Sequence, residues 1–238
     1  MFKEDTILLD LDGTLLPIDM DYFLKIYFKS LTEEFSDLEE KEVFIKILMS
    51  ATEKMIKNTG EKTNEEVFKD AFFSMLEVDN QERVMERFDE FYDNKYPELK
   101  NKLDLKTNSP ELIKLFKKAN KKLVLATNPL FPKKAIIERL KWTGIDPADF
   151  DYITCYEEMH HAKPNPEFYR EISNKVGFNP ENAVMVGNDL KEDVIAKETG
   201  MKAYLVTDFI TNEDSSLKPD WEGSITDLIE IVRNELIT

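Results

Sequence analysis

Two aspartates stand two residues apart in Asp10-Leu11-Asp12-Gly13-Thr14-Leu15, directly after the apolar run Ile7-Leu8-Leu9. Alternate side chains at the end of a strand share a face, so both carboxylates can reach one centre. Like charges placed so close repel unless a cation or a shared proton relieves them. Gly13 then permits a turn that other residues take less easily. Three more chemically capable stretches follow, each after another apolar run. Thr127-Asn128 ends Leu123-Val124-Leu125-Ala126. A hydroxyl and backbone N–H groups there suit a phosphoryl oxygen, although a threonine that only caps the next turn would stand in the same place. Lys163-Pro164-Asn165-Pro166 sets a lysine just ahead of a helix start, either as a surface side chain or as the point charge an anionic transition state needs. Gly187-Asn188-Asp189-Leu190-Lys191-Glu192-Asp193 follows the run Ala183–Val186. Asp189 and Asp193 are candidate Mg²⁺ ligands or supporting groups, or an acidic helix start that complements the helix dipole.

The elements that must position these residues are of two kinds. Between Ile18 and Tyr96 there is one glycine, Gly60, and no proline. Apolar residues recur there at helical spacing: Phe68, Phe72, Met75 and Leu76, then Val84, Phe88, Phe91 and Tyr92. Asn64 and Asn80 are the expected N-caps, and Pro97 the stop. The aromatic stripes are read as helix–helix packing in preference to a ligand cleft. Elsewhere, short apolar strands at Thr6–Leu9, Leu123–Ala126, Tyr152–Thr154, Ala183–Val186 and Ala203–Val206 alternate with helical patterns opened at Ser109-Pro110, at Asn165-Pro166 and after Asn188. Gly144, Gly177 and Gly200 close such patterns. Continuous apolar strands joined by crossover helices predict a doubly wound parallel sheet, an α/β fold whose ligands gather at the carboxyl ends of the strands. The stretch from Asp208 to Gly223 reads as a long polar loop with Trp221 anchoring it to the core.

The chain has 238 residues, 42% hydrophobic and 34% charged, enough for one or two domains with a real core. Its 48 acidic and 32 basic residues leave a net charge of −16, which argues against nucleic acid as a partner. The single cysteine, Cys155, fits a reducing compartment and a small buried side chain. No signal-peptide pattern and no apolar run of about 20 residues are present, so a cytoplasmic protein without membrane contact is expected. The acidic run from Glu33 to Glu42 reads as the solvated face of a helix. His160 and His161 read as exposed loop residues.

Four signals in fixed order, each at the end of its own strand, resemble the haloacid dehalogenase superfamily of phosphotransferases. Asp10-x-Asp12-Gly13-Thr14, Thr127, Lys163 and the Asp189/Asp193 pair match the four motifs of that superfamily. One departure stands out: the fourth motif usually reads Gly-Asp, and here Asn188 follows Gly187. The resemblance implies a Rossmann-like α/β core over residues 1–15 and 106–238. It also implies an inserted all-helical cap over 16–105, hinged near Leu16–Asp19 and Leu103–Thr107. In such an enzyme Asp10 is the nucleophile that forms an aspartyl-phosphate. Asp12 protonates the leaving alkoxide and then takes a proton from water. Mg²⁺ is held by Asp10, Asp189 and the backbone carbonyl of Asp12, with Asp189 preferred over Asn188 because a carboxylate is the better ligand. Thr127, with Asn128, binds phosphoryl oxygen, Lys163 balances charge, and Asp193 orients Lys163. Gly13, Thr14 and Asn188 support the site.

The expected activity is Mg²⁺-dependent hydrolysis of a small phosphate monoester, a phosphorylated metabolite whose identity the cap leaves unread. Dehalogenation is disfavoured because halide leaves without a proton, so Asp12 would have no task. Phosphonate cleavage is disfavoured because relatives with that activity replace the second aspartate. A sugar phosphomutase and a non-catalytic regulatory protein on the same fold remain the alternatives.

Overall fold

The computed structural model describes residues 3–212 and 216–236. Six parallel strands form one sheet in the order β3-β2-β1-β4-β5-β6: β1 (Thr6–Leu9), β2 (Lys122–Leu125), β3 (Tyr152–Ile153), β4 (Ala183–Gly187), β5 (Lys202–Val206) and β6 (Trp221–Gly223). Every residue of β1 and β4 is buried, as strands covered on both faces require. Side-chain alternation divides them. Ile7 and Leu9 join a core with α5 (Ser109–Lys118) and α8 (Ile225–Leu236), whereas Leu8 and Met185 face α7 (Pro166–Val176). The chain builds outward from β1 through β2 to β3, then returns to lay β4 on the other side of β1. That reversal leaves a crevice at the carboxyl ends of β1, β2 and β4, where Asp10, Thr127 and Asn188 follow the strands.

Between β1 and α5 lie α1 (Met20–Glu34), α2 (Lys41–Ile56), α3 (Asn64–Met75), α4 (Gln81–Asn94) and a 3-10 helix, Tyr96–Lys102. Asp19 caps α1 through its side chain, which accepts from the Tyr22 N–H, and Asn80 caps α4 in the same way. The cap of α3 is Thr63 and not Asn64: Thr63 and Glu66 form a reciprocal capping box. Asn64, one residue inside the helix, is wholly buried and donates to the backbone carbonyls of Pro129 and His161. The aromatic stripes pack helix on helix, with Phe35 and Phe88 ring centroids 4.4 Å apart and Phe44 and Phe72 5.9 Å apart. Met75 turns outward and is exposed. A wedge of Phe23 and Tyr96 against Trp142 of α6 (Lys133–Trp142) continues this packing onto the α/β core. The two crossings between insert and core touch as well, because the Thr107 hydroxyl donates to the Leu15 carbonyl at 3.2 Å.

Two further expectations are corrected. The segment after Asn188 does not form an α-helix; a tight turn leads into a 3-10 helix, Val194–Thr199, that Gly200 ends at φ +96°. The carboxylate of Asp189 accepts from the Lys191 and Glu192 N–H groups and closes that turn. The stretch read as a loop up to Gly223 contains β6, in which Trp221 pairs with Tyr204 and packs on its ring; residues 213–215 of that stretch lie outside the described residues. Among the described residues no helix is long and apolar enough to cross a membrane. Cys155 is buried, and burial pushes its thiol well above the ordinary range.

Candidate active site

Asp10 is the first residue beyond β1, and its N–H still donates to the Val186 carbonyl, so its backbone is held by the sheet. Its Oδ1 accepts from Lys163 Nζ at 2.9 Å, and the same ammonium donates to Asp193 Oδ1 at 2.6 Å. Lys163 is 1% exposed, a cation buried between two buried carboxylates. Burial works against its charge, but the two carboxylates outweigh that and hold it well above the usual lysine range. Burial pushes Asp10 and Asp193 up, and Lys163 pulls both back. The backbone of Lys163 is fixed from both sides: its N–H donates to Asn128 Oδ1, and Asn128 Nδ2 donates to its carbonyl. The Lys163–Pro164 peptide is cis.

Asp193 has a second task, since its Oδ2 accepts from the Asp189 N–H at 3.0 Å. It lies so close over Gly187 that a Cβ there would overlap the carboxylate. Gly13 plays the same part beneath Asn188. At φ +86° it allows the turn after Asp12, and a Cβ would overlap the Asn188 amide. The Thr14 hydroxyl lies between Asn188 Oδ1 at 3.0 Å and Asp10 Oδ2 at 3.4 Å, which places those two oxygens on one side of the crevice. Asn188 Nδ2 donates to the Phe209 carbonyl, leaving its oxygen toward the site.

Asp189 lies differently from the expectation that it would hold a metal. Besides the two N–H groups of its turn, its other oxygen accepts from Thr211 Oγ1 at 2.7 Å and from Asn212 Nδ2. Four donors occupy the carboxylate; together they outweigh the effect of burial and hold its pKa below the usual range. Asp189 thus staples the 209–212 segment to the turn. Asn188 Oδ1, by contrast, shares the Thr14 hydroxyl with Asp10 Oδ2.

Asp12 meets a partner that the spacing of motifs does not reveal. Arg139, in the middle of α6, is fully buried and sets Nε 3.3 Å from Asp12 Oδ1. Its Nη1 donates to the Tyr96 hydroxyl at 2.9 Å, and its guanidinium lies 4.3 Å from the ring centre of Phe131 and 5.7 Å from that of Phe23. Burial raises the Asp12 pKa, and Arg139 and Lys163 only partly offset it. Glu192 is a second residue the sequence reading passed over. It lines the crevice, accepts from Asn128 Nδ2 at 3.0 Å, and is pushed by burial to a pKa of about 7.

Asp10, Asp12, Gly13, Thr127, Asn128, Asn188, Asp189, Glu192 and Asp193 line one cavity of about 450 Å³, closed on the helical side by Ile18 to Asp21. Lys163 lies beneath it. The arrangement supplies a carboxylate fixed by a cation, a second carboxyl two residues away, and a set of oxygens that suits a hard cation. His160 and His161 stand apart: both rings bond through Nδ1 to Glu171, in a separate part-buried cluster.

A sequence profile of the haloacid dehalogenase-like hydrolases matches residues 4–219. The chain belongs to that family. Among curated relatives, the pyrophosphatase PpaX of Halalkalibacterium halodurans is 30% identical over 125 residues, 51% of this chain and 57% of that protein. The aligned stretch therefore spans little more than half of that relative. PpaX of Oceanobacillus iheyensis is 26% identical over 95% of this chain and 96% of its own length. Solved structures with the same fold include a 2-haloacid dehalogenase from Pseudomonas syringae, with TM-score 0.64, 19% identity and 97% and 99% of the two chains covered. Another is the putative HAD-hydrolase YfnB from Bacillus subtilis bound to magnesium, with TM-score 0.60, 17% identity and 96% and 98% covered. The Rossmann-like core and helical cap of the family are the parallel sheet and the α1–α4 insert described above.

Proposed function

We propose that this hydrolase is a Mg²⁺-dependent phosphatase that cleaves a small phosphate monoester through an aspartyl-phosphate on Asp10. The observation that carries the reading is Lys163, fully buried and shared between Asp10 and Asp193, with Asp12 at the same cavity. The Asp10 carboxylate attacks phosphorus as the bond to the leaving oxygen breaks, and Asp12 gives that oxygen its proton. Water then attacks phosphorus, the Asp10–phosphorus bond breaks, and Asp12 takes the proton from water. A carboxyl whose pKa is raised by burial suits both halves of that exchange. Thr127 offers its hydroxyl to a phosphoryl oxygen, Lys163 balances charge on nucleophile and phosphoryl group, and Asp193 fixes Lys163. Residues 16–105 act as the cap over the site.

The donor chemistry fits Mg²⁺. Asp10 Oδ2, the Asp12 carbonyl and Asn188 Oδ1 are hard oxygens around one crevice, and Asp189 supports them through its backbone turn. The set joins a carboxylate to a backbone carbonyl and an amide, and among the described residues no three His, Cys, Asp or Glu side chains converge on a metal position. When bound, the cation offsets the repulsion between the Asp10 carboxylate and the phosphoryl group. A small phosphorylated metabolite and a cytoplasmic setting complete the reading. The test is inorganic phosphate release from p-nitrophenyl phosphate and small esters, with Mg²⁺, with EDTA, and with Asp10→Asn. Mg²⁺-dependent release lost in the variant is the expected outcome; undiminished release by Asp10→Asn overturns the mechanism.

A further inference from the structure

We propose that the substrate carries an uncharged, apolar body beside its phosphate, a short alkyl or aryl group, received by a cavity between the cap helices and the core. This inference deepens the phosphatase reading and rests on it. A second cavity, of about 250 Å³, opens between the cap helices and the core residues Leu130, Phe131, Pro132 and Tyr156, and shares Met20, Leu130 and Phe131 with the catalytic cavity. Those three side chains wall both spaces, so the apolar cavity adjoins the catalytic one. No carboxylate, ammonium or guanidinium is among the residues lining that space. Three of the four hydroxyls on its lining residues bond within the protein, Tyr27 with Tyr92 at 2.8 Å and Thr52 to the Leu48 carbonyl at 2.9 Å, and the fourth is that of Tyr156. A cavity of roughly 150 Å³ with such walls takes up benzene. One of about 250 Å³ has room for a ring or a chain of several methylenes.

Charge around the phosphate points the same way. The catalytic cavity is lined by Asp10, Asp12, Asp19, Asp21, Glu192 and further acids, and its lining holds no lysine, arginine or histidine. The cation beneath it, Lys163, is already matched by two carboxylates. A second anionic group on the substrate would meet that acidic wall with no basic side chain to receive it, whereas an alkyl or aryl group would leave water for the cap cavity. Pyrophosphate and carboxylated phosphate esters are therefore poor fits. Phe131 ties the two spaces together, because it forms a wall of both and stacks under Arg139, the partner of Asp12.

The experiment compares kcat/KM for methyl, propyl and pentyl phosphate, whose leaving alcohols are similarly acidic, with that for phosphoglycolate, phosphoethanolamine and pyrophosphate. The expected result is a rise of roughly fourfold for each methylene that enters the cavity, carried by KM, with the charged compounds below propyl phosphate. Two cavity-filling variants, Thr52→Leu and Met85→Phe, should each draw the pentyl-to-methyl ratio toward one; two are used because either substitution alone could disturb cap packing. A flat alkyl series overturns the proposal and leaves the phosphatase standing. So does preference for phosphoglycolate, pyrophosphate or phosphoethanolamine, or an unchanged ratio in both folded variants. No phosphate release from any ester overturns the phosphatase reading, and this inference with it.

Discussion

The crevice at the strand ends and the interior of the cap are built on opposite principles. At the crevice polar bonds fix the charged side chains around Asp10: Lys163 by Asp10, Asp193 and, through its backbone, Asn128; Asp189 by four donors. In the cap, rings pack on rings, and the space left between them is apolar. A hydrogen-bond network over-determines the position of each atom, as a group that must meet a reacting phosphorus requires. Aromatic packing sets volume and tolerates repacking, so the shape of a cap cavity can change without moving the reacting groups. Arg139 is where the two meet, touching Asp12 on one side and Tyr96, Phe23 and Phe131 on the other.

If that contrast holds, damage to the crevice and damage to the cap should differ in kind. The largest effect is expected from Lys163→Met. Two carboxylates stay buried without their cation, so unfolding free energy at neutral pH should fall by about 3–5 kcal/mol. Phosphate release should fall by roughly 10³-fold or more, because the nucleophile loses its fixed partner. Urea titration and single-turnover assays read the two losses separately. Phe72→Ala in the cap should cost a similar 3–5 kcal/mol from its cavity. Folded Phe72→Ala should nevertheless keep the single-turnover rate at saturating substrate within a few-fold; a loss as deep as that of Lys163→Met would break the contrast.

The polar network of the crevice was partly legible in the sequence. Asp10, Asp12, Thr127, Lys163 and Asp193 carry local signals, since each stands where an apolar run gives way to a turn or a helix start. Sequence distance alone could not decide between Asn188 and Asp189. The choice depends on which side chain the β4 exit points at Thr14 and which is consumed by Thr211 and Asn212, and those partners come from a distant segment. Arg139 gave no signal, because an arginine in an amphipathic helix with Lys133, Lys134 and Lys141 reads as one more solvated cation. Its burial is a purely tertiary fact. The α/β core was legible down to strands within a residue or so, except β6, whose three residues are too few to show a period. The helical stripes of the cap were legible too. The cavity among them was not, since it depends on how the helices cross.

Asn188 offers a sharper and smaller test. Asn188→Asp restores a charged oxygen beside Asp10, and the apparent Mg²⁺ affinity should rise roughly tenfold. Asp189→Asn should leave that affinity nearly unchanged while loosening the 209–212 segment, seen as faster amide exchange there. The reverse pattern would return the metal to Asp189.

The smallest effect concerns Glu192, a crevice acid that burial holds at a pKa of about 7, above the ordinary glutamate value of 4.5. The folded state thus binds the Glu192 proton more tightly than the unfolded chain does, and stability from this group is complete below pH 4.5 and lost as pH rises through about 7. Glu192→Gln removes that loss. The variant should match the wild type near pH 4.5 and exceed it at pH 8, with the gap opening between those values. Inorganic phosphate should follow the same curve as an inhibitor: at pH 8 it meets an ionised Glu192 in the wild type and a neutral amide in the variant. The ratio of inhibition constants, wild type over variant, should rise as pH increases through about 7. A constant ratio from pH 5.5 to 8.5 would mean that Glu192 does not face the bound anion. The acidic wall would then be made by the aspartates of the lining without Glu192, and the crevice would differ from the cap less by charge than by the way its groups are held.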